Sequence, residues 1–248
     1  MRPFFGRVGG KTKIRDKIIS LFPEHKIYVE AFVGGGSVLF GKKPSEVEVI
    51  NDKDKDIASM YRDIKKLKAT TIGKFNFVPS KERFDNYLRS SPTTPAKRLE
   101  RNLYLNINSF GGNNKTYCAN VKHRNPNTKG AHIKKNSSKY RERLADVKVY
   151  SYNFTTVIKK FDGPSTFFYL DPPYSKMDKS WGYAHLVTPQ QVYAAVKKIK
   201  GKFLLSYDDS PIVRQTFKDY TIREIGQVYN LALNDKTQKV GELLISNY

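Results

Sequence analysis

Four consecutive residues, Asp171-Pro172-Pro173-Tyr174, place a carboxylate, two prolines and an aromatic ring directly after the apolar run Thr166–Leu170. The run is typical of a buried strand, and the prolines fix φ and stiffen the turn that follows. The carboxylate could accept one hydrogen of an exocyclic amine, and the Pro172 carbonyl could accept the other. The tyrosine ring could stack on a flat base. The tetrapeptide therefore predicts a site for a planar amine, with an ordinary Pro-Pro turn as the alternative.

A glycine-rich turn follows a second strand-like segment near the start of the chain. Residues 27–32 read as a strand, and the glycines at 34–36 would let the backbone approach a ligand closely. Another strand-like run, residues 47–50, leads to Asp52, close to the spacing at which an acidic residue binds ribose hydroxyls in a Rossmann-like unit. These features favour a nucleoside-bearing cofactor, and the alternative is a plain strand-to-helix turn.

The order of these motifs resembles that of one enzyme family. The chain is similar to Dam-type DNA adenine-N6 methyltransferases in which the cofactor motif comes first, the target-recognition segment lies in the middle and Asp-Pro-Pro-Tyr comes last. The similarity runs nearly end to end. The segments that carry it are Gly9-Gly10-Lys11, the FxGxG match at residues 32–36, Asn51-Asp52 with residues 57–61, residues 103–112, Asp171 to Tyr174, residues 204–208 and residues 239–245. Some family members have an aromatic residue before the first glycine pair, where this chain has Arg7 and Val8, with Phe5 nearby.

The resemblance implies that S-adenosylmethionine is the cofactor and that the substrate is an adenine flipped out of double-stranded DNA. Asp52 would bind the cofactor ribose, and Lys11 would lie near its carboxylate or the adjoining loop. The implied cofactor-binding residues are Lys11, Phe32, Gly34, Gly36, Asp52 and Asp171, and the implied catalytic residues are Asp171, Pro172, Pro173 and Tyr174. Hydrogen bonds from adenine N6 to Asp171 and to the Pro172 carbonyl would direct the nitrogen lone pair at the methyl group, without a covalent intermediate or a metal. Because stacking needs only the ring face, replacing Tyr174 with Phe is expected to be nearly silent.

The charge balance predicts a polyanionic partner. Forty-five Lys and Arg residues against twenty-three Asp and Glu give a formal net charge of +22. Residues 111–140 hold seven basic residues, no acidic one, and several Asn side chains able to bond base edges and phosphates. The predicted DNA-binding residues are Asn113, Lys115, Lys122, Arg124, Lys134, Lys135 and Lys139. The alternative is a disordered basic loop, which could itself become ordered on DNA.

Strand-like and helix-like segments alternate at both ends of the chain, and the composition shifts towards Asn, Ser, Lys and Pro between them. This pattern predicts an α/β fold, a Rossmann-like, doubly wound and mostly parallel sheet with an inserted, mainly helical and loop subdomain. We expect residues 1–70 and 149–248 to form the catalytic domain and residues 71–148 to form the DNA target-recognition subdomain. The predicted helices include residues 56–67, 95–106 and 189–199.

Single residues argue against several other chemistries. Cys118 is the sole cysteine, which precludes an internal disulfide, and its surroundings do not suit the cysteine nucleophile that a cytosine-C5 methyltransferase needs. Gly10-Lys11-Thr12 mimics the end of a phosphate-binding loop, but Phe5 stands where that loop needs a glycine. The four histidines lack close metal-ligand spacing, so no metal site is predicted.

No apolar run is long enough to span a bilayer, and the amino terminus does not resemble a leader. We therefore expect a monomer in the cytoplasm of a bacterial, phage or viral host cell, or in the nucleus if the virus is eukaryotic. A non-catalytic basic DNA-binding protein on a methyltransferase fold is one alternative. Transfer to an RNA adenine or to cytosine N4 in DNA is another, since nearly the same pocket would serve. Whether a separate restriction endonuclease is a partner is left open.

Overall fold

Seven strands form one sheet in the part of the chain that the structure describes. The computed structural model describes residues 1–7, 9–118, 126–174, 186–226 and 241–248, without the side chains of residues 126 and 127. The strands are β1 Ile27–Glu30, β2 Val47–Asn51, β3 Lys148–Tyr150, β4 Thr166–Leu170, β5 Lys202–Asp208, β6 Thr221–Ile225 and β7 Glu242–Ser246. Their order is β3-β2-β1-β4-β5-β7-β6, parallel except for β7, which is antiparallel to both of its neighbours.

The strand order creates a crevice between β1 and β4. The chain proceeds from β1 through β2 to β3 on one side, and continues through β4 and β5 on the other. Ligands of doubly wound sheets bind at such a switch point, outside the carboxyl ends of the strands. Every residue of β4 is buried, as expected for a parallel strand covered on both faces. The predicted fold class is confirmed.

Helices cover both faces of the sheet. They are α1 Arg15–Ile19, α2 Lys55–Lys66, α3 Ala69–Gly73, α4 Lys81–Arg89, α5 Pro95–Ile107, α6 Pro126–Arg143, α7 Phe154–Phe161, α8 Pro189–Val196 and α9 Pro211–Thr216, with 3₁₀ turns at Lys11–Lys13 and Phe110–Gly112. Successive strand residues point to opposite faces. Tyr28 and Phe167 therefore join the apolar cluster that includes side chains of α2 and α5, whereas Val29 and Phe168 join the cluster that includes side chains of α7 and α8.

The helix boundaries follow local capping chemistry. The predicted helix 56–67 is α2, which Asp54 caps by accepting a hydrogen bond from the Asp56 amide. The predicted helix 95–106 is α5, with Pro95 in its first turn, where a missing N–H costs nothing. The predicted helix 189–199 is α8, which ends earlier, at Val196.

The helices of the inserted segment pack on α2 and on one another. Helix α6 occupies the second half of the basic stretch, so residues 126–140 are helical and not the loop of the alternative prediction, while residues 119–125 lie outside the described ranges. An ion network binds α6 to β2, because the buried Glu48 carboxylate accepts hydrogen bonds from Lys42 and from Arg143 at 2.9 Å. The division into domains at residues 71 and 149 stays a prediction.

Candidate active site

A cavity of about 400 Å³ opens at the carboxyl ends of β1, β2 and β4. The structure brings together around it all the residues predicted to bind the cofactor or to act in catalysis, namely Lys11, Phe32, Gly34, Gly36, Asp52, Asp171, Pro172, Pro173 and Tyr174. A volume of this size is typical of small-molecule and cofactor sites. The roles of the individual residues stay predictions.

The glycine turn after β1 requires glycine at two positions. Gly34 and Gly36 have φ values of 47° and 71°, in the left-handed region that other residues rarely adopt. A Cβ on Gly36 would lie 2.5 Å from the Tyr61 hydroxyl oxygen. That hydroxyl donates a hydrogen bond to the Gly34 carbonyl at 3.0 Å. The turn is therefore held against α2 and presents its backbone to the cavity.

Asp52 is anchored by two backbone amides. Its Oδ2 accepts a hydrogen bond from the Gly34 N–H at 3.0 Å, and its Oδ1 accepts one from the Asp54 N–H at 2.9 Å. Burial raises the pKa of Asp52 to about 6, and the bond from Asp54 partly opposes that rise. Each carboxylate oxygen has a second lone pair, so Asp52 can still accept hydroxyl hydrogens from a ligand.

The neighbouring strand ends are tied together by Asn51. Its buried side-chain amide donates to the carbonyls of Ala31 and Tyr152 at 3.0 and 3.1 Å, and its oxygen accepts from the Tyr152 N–H at 2.8 Å. The half-buried Phe32 packs on Phe154 with ring centroids 5.1 Å apart. The floor and one apolar wall of the cavity are thus fixed by contacts between β1, β2 and the segments after β3.

The Asp-Pro-Pro-Tyr segment leaves β4 with the side chains of Asp171 and Tyr174 both held by hydrogen bonds. Asp171 Oδ1 accepts a hydrogen bond from the Ser206 hydroxyl at 2.8 Å. The Tyr174 ring stacks on Tyr207, with centroids 5.5 Å apart and planes at 21°. Its hydroxyl donates to Glu242 Oε1 at 2.7 Å, and only 8% of the residue is exposed. The carboxylate and the ring therefore have a defined mutual orientation.

Lys11 belongs to the same cluster as Asp171. Its buried Nζ lies 2.8 Å from Asp171 Oδ1 and 3.2 Å from Glu242 Oε1, and it donates to the Gly9 carbonyl at 3.0 Å. The ammonium is also 4.9 Å from the centroid of the Tyr174 ring. The structure pairs Lys11 with Asp171, the carboxylate predicted to bind adenine. That Lys11 lies near the carboxylate of the cofactor or the adjoining loop stays a prediction.

Two buried glutamates at the site were missed by sequence reasoning. Glu242, at the start of β7, is 1% exposed, and burial raises its pKa although Lys11 opposes the rise. Glu30, at the end of β1, lines the cavity, and burial raises its pKa to about 8. The hydroxyl of Tyr28 donates to Glu30 Oε2 at 2.9 Å. The available signal was a glutamate inside an apolar strand run, which is rarely buried without a partner.

The predicted DNA-binding residues divide into three groups. Asn113 is buried, and its side-chain oxygen accepts the Lys115 and Thr116 amides at 2.9 and 3.1 Å, so its side chain shapes a local turn. The exposed or partly exposed lysines are Lys115 after α5 and Lys134, Lys135 and Lys139 on α6. Lys122 and Arg124 lie outside the described residues.

The described ranges lack a metal-binding cluster and a membrane-spanning helix. No group of three or more His, Cys, Asp or Glu side chains in these ranges could hold a metal ion. None of the helices described there is long and apolar enough to cross a membrane.

Three relatives match the whole of this chain at 25% identity. They are the Type II methyltransferases M1.LlaDCHI of Lactococcus lactis subsp. cremoris, M.MjaIII of Methanocaldococcus jannaschii and M.CviBI of Paramecium bursaria Chlorella virus NC1A, and the matches cover 96%, 99% and 100% of those proteins. Among solved structures, a precorrin 8W decarboxylase of Methanobacterium thermoautotrophicum matches 100% of this chain and 99% of its own, with a TM-score of 0.44 and 10% identity.

A family model matches most of the chain. It is described as D12 class N6 adenine-specific DNA methyltransferase, and it matches residues 8–231. This match confirms the resemblance to Dam-type enzymes, the predicted methyl transfer to adenine N6 in DNA, and S-adenosylmethionine as the cofactor. The chain belongs to the D12 class of N6 adenine-specific DNA methyltransferases.

Proposed function

We propose that the cavity has a cofactor half and an adenine half, and that the enzyme methylates an adenine flipped out of one specific sequence in duplex DNA. The observation that carries this proposal is the common cavity, which is lined both by the glycine turn with Asp52 and by Asp171 with Tyr174. A base inside a duplex cannot reach so recessed a carboxylate, so the adenine must leave the stack.

The cofactor half fits S-adenosylmethionine in its chemistry. Asp52 would accept hydrogen bonds from the ribose hydroxyls, and the left-handed turn at Gly34 and Gly36 would contact the ligand through its backbone. Phe32 offers an apolar wall, and Glu30 offers a buried carboxyl to the amino-acid portion. When bound, the cofactor supplies an electrophilic methyl group on a sulfonium.

The adenine half activates the amine of adenine, which is a poor nucleophile. The lone pair of adenine N6 is delocalised into the ring, so the planar amine must become more tetrahedral before it can react. Asp171 and the Pro172 carbonyl would accept its two hydrogens and favour that geometry. Ser206 and Lys11 fix the Asp171 carboxylate at 2.8 Å each, so little reorganisation is required during the reaction.

The DNA is held largely through its phosphates in this proposal. A net charge of +22 gives a strong non-specific attraction. Lys135 and Lys139 are exposed one helical turn apart on α6, and Lys115 is exposed on the loop after α5. Residues 71–148 would then act as the target-recognition subdomain, and the chain would act as a monomer in the host cytoplasm.

The names of the relatives support a modification role. All three are Type II methyltransferases, which favours a methyltransferase with one recognition sequence and a separate restriction endonuclease as its companion. Co-purification of a tagged chain from its own host would test for a stable complex with that companion.

The chemistry is tested with methyl-labelled S-adenosylmethionine and separate pools of duplex DNA and RNA. We expect N6-methyladenine in duplex DNA alone, and label in cytosine or in RNA would contradict the assignment.

Asp171→Ala should lower the single-turnover rate by at least about a hundredfold, as for loss of one preorganised transition-state partner. It should keep most DNA affinity, which comes from phosphate contacts. A wild-type rate in Asp171→Ala would remove that carboxylate from the reaction.

A further inference from the structure

Glu242 joins two parts of the active site that are far apart in the sequence. Its Oε1 accepts the Tyr174 hydroxyl at 2.7 Å and lies 3.2 Å from the Lys11 ammonium. It stands at the start of β7, in register with Asp208 of β5 on one side and with Ile225 of β6 on the other. It also lies beyond residues 8–231, to which the family model is matched. Because β7 is paired with β5 and with β6, the backbone of Glu242 is held on both sides.

The cluster around Glu242 contains two carboxylates and one ammonium. Lys11 lies 2.8 Å from Asp171 and 3.2 Å from Glu242, so the same cation faces both acids. A buried carboxylate without compensation is costly, and removing one member of such a cluster leaves the others poorly solvated. The position of Lys11 beside Asp171 consequently depends on the charge of Glu242.

The Tyr174 ring depends on Glu242 in a different way. Stacking on Tyr207 restrains the tilt of the ring but allows sliding and rotation within its plane. The hydrogen bond to Glu242 adds a second fixed point, at the hydroxyl. Two such restraints define the orientation of an aromatic side chain that has only two rotatable bonds.

We propose that Glu242 is a positioning residue for methyl transfer, holding the Tyr174 ring through its hydroxyl and the Lys11 ammonium against Asp171. Glu242 acts through these side chains and does not touch the substrate. The inference rests on the proposed roles of Asp171 and Tyr174. It also changes one expectation from the sequence, because Tyr174→Phe removes a buried hydrogen bond and should impair the reaction.

The test is a double-mutant cycle on single-turnover methylation at saturating cofactor and DNA. Glu242→Gln replaces the charged acceptor of the Tyr174 hydroxyl with a weaker neutral one and removes the charge that faces Lys11. Tyr174→Phe removes the hydroxyl but keeps the ring. We expect each change to lower the rate by about tenfold, with DNA affinity unchanged. The double variant should lose clearly less than the product of about a hundredfold, because both changes act on the same hydrogen bond between Tyr174 and Glu242.

A matched control separates positioning from general stability. Glu48 is also a buried glutamate with a lysine partner, but it binds Lys42 and Arg143 outside the cavity lining. Glu48→Gln should lower the unfolding temperature at least as much as Glu242→Gln, yet keep the single-turnover rate within about twofold. If Glu48→Gln slows methylation as much as Glu242→Gln does, loss of stability explains both results and the inference is wrong.

Two other results would overturn the inference. They are a wild-type rate in Tyr174→Phe and rate losses that multiply in the double variant. Tyr174→Phe carries the test alone if Glu242→Gln fails to fold. Failure of the proposed function gives a different result, because Asp171→Ala would then methylate DNA at the wild-type rate. If Asp171→Ala is inactive while Tyr174→Phe and Glu242→Gln are fully active, only the inference about Glu242 fails.

Discussion

The Lys11 ammonium lies 2.8 Å from the Asp171 carboxylate, so the amino-terminal motif and the Asp-Pro-Pro-Tyr motif meet at one ion pair. Burial raises the pKa of Glu242, and the same ammonium opposes that rise. Lys11, which the sequence associates with the cofactor motif, therefore also acts on the carboxyl that accepts the Tyr174 hydroxyl.

Lys11→Met should shift the pH dependence of methylation to higher pH. Removing the ammonium removes the main interaction that opposes the raised pKa of Glu242, so this carboxyl ionises only at higher pH. We expect the acidic limb of the single-turnover rate to move to higher pH, the effect of losing an opposite charge within contact distance. A parallel loss of rate at every pH would instead indicate a purely steric role for Lys11.

Asp52 should make cofactor binding depend on pH. Its pKa is about 6, and the ionised form accepts ribose hydroxyl hydrogens better than the protonated form does. The affinity for S-adenosylmethionine should therefore fall as the pH drops through about 6, and calorimetry across this range measures the change. Asp52→Ala should weaken binding by about 1.5–3 kcal/mol and abolish this dependence. Unchanged affinity in a folded Asp52→Ala protein would exclude the residue from the site.

Glu30 should destabilise the free protein at alkaline pH. Burial raises its pKa from the ordinary 4.5 to about 8 in the fold, so the folded state retains a proton that the unfolded chain has lost. Stability must then fall as the pH rises from 4.5 to about 8. Glu30→Gln mimics the protonated form at every pH. The unfolding temperature of the variant minus that of the wild type should therefore be larger at about pH 8.5 than at about pH 5, by at least ~2 °C. An equal difference at both pH values would contradict the assigned pKa.

The exposed lysines of α6 should contribute to the salt dependence of DNA binding. Lys135→Gln with Lys139→Gln should reduce the magnitude of the slope of log affinity against log salt by roughly two units, at about 0.9 per phosphate contact. The matched control is Lys159→Gln with Lys160→Gln, which removes two exposed lysines from α7 on the opposite face of the sheet. Equal slopes for the two double variants would show that α6 has no special role in phosphate binding.

The parts of the site that sequence reasoning identified are those with local signals. Gly34 and Gly36 lie in a turn that demands positive φ, and Asp52 and Asp171 directly follow strands recognisable from their apolar residues. The glutamate at position 242 beside an apolar run could not reveal its role, because its partners Lys11 and Tyr174 come close only through the strand order β4-β5-β7 and the placement of the amino-terminal segment. Asn113 was predicted to contact DNA, although its neighbourhood of small and polar residues is equally typical of a turn.

The position of β7 between β5 and β6 makes the enzyme sensitive to trimming of its chain. Loss of the residues around Lys11 would leave Asp171 and the buried Glu242 without their shared cation, whereas loss of β7 would remove Glu242, expose the edge of β5 and detach β6. The four strands from β2 to β5 that surround the crevice could remain paired in either case. From the proposed roles of Lys11 and Glu242, we expect cleavage that removes either segment to stop methylation while the centre of the sheet stays folded.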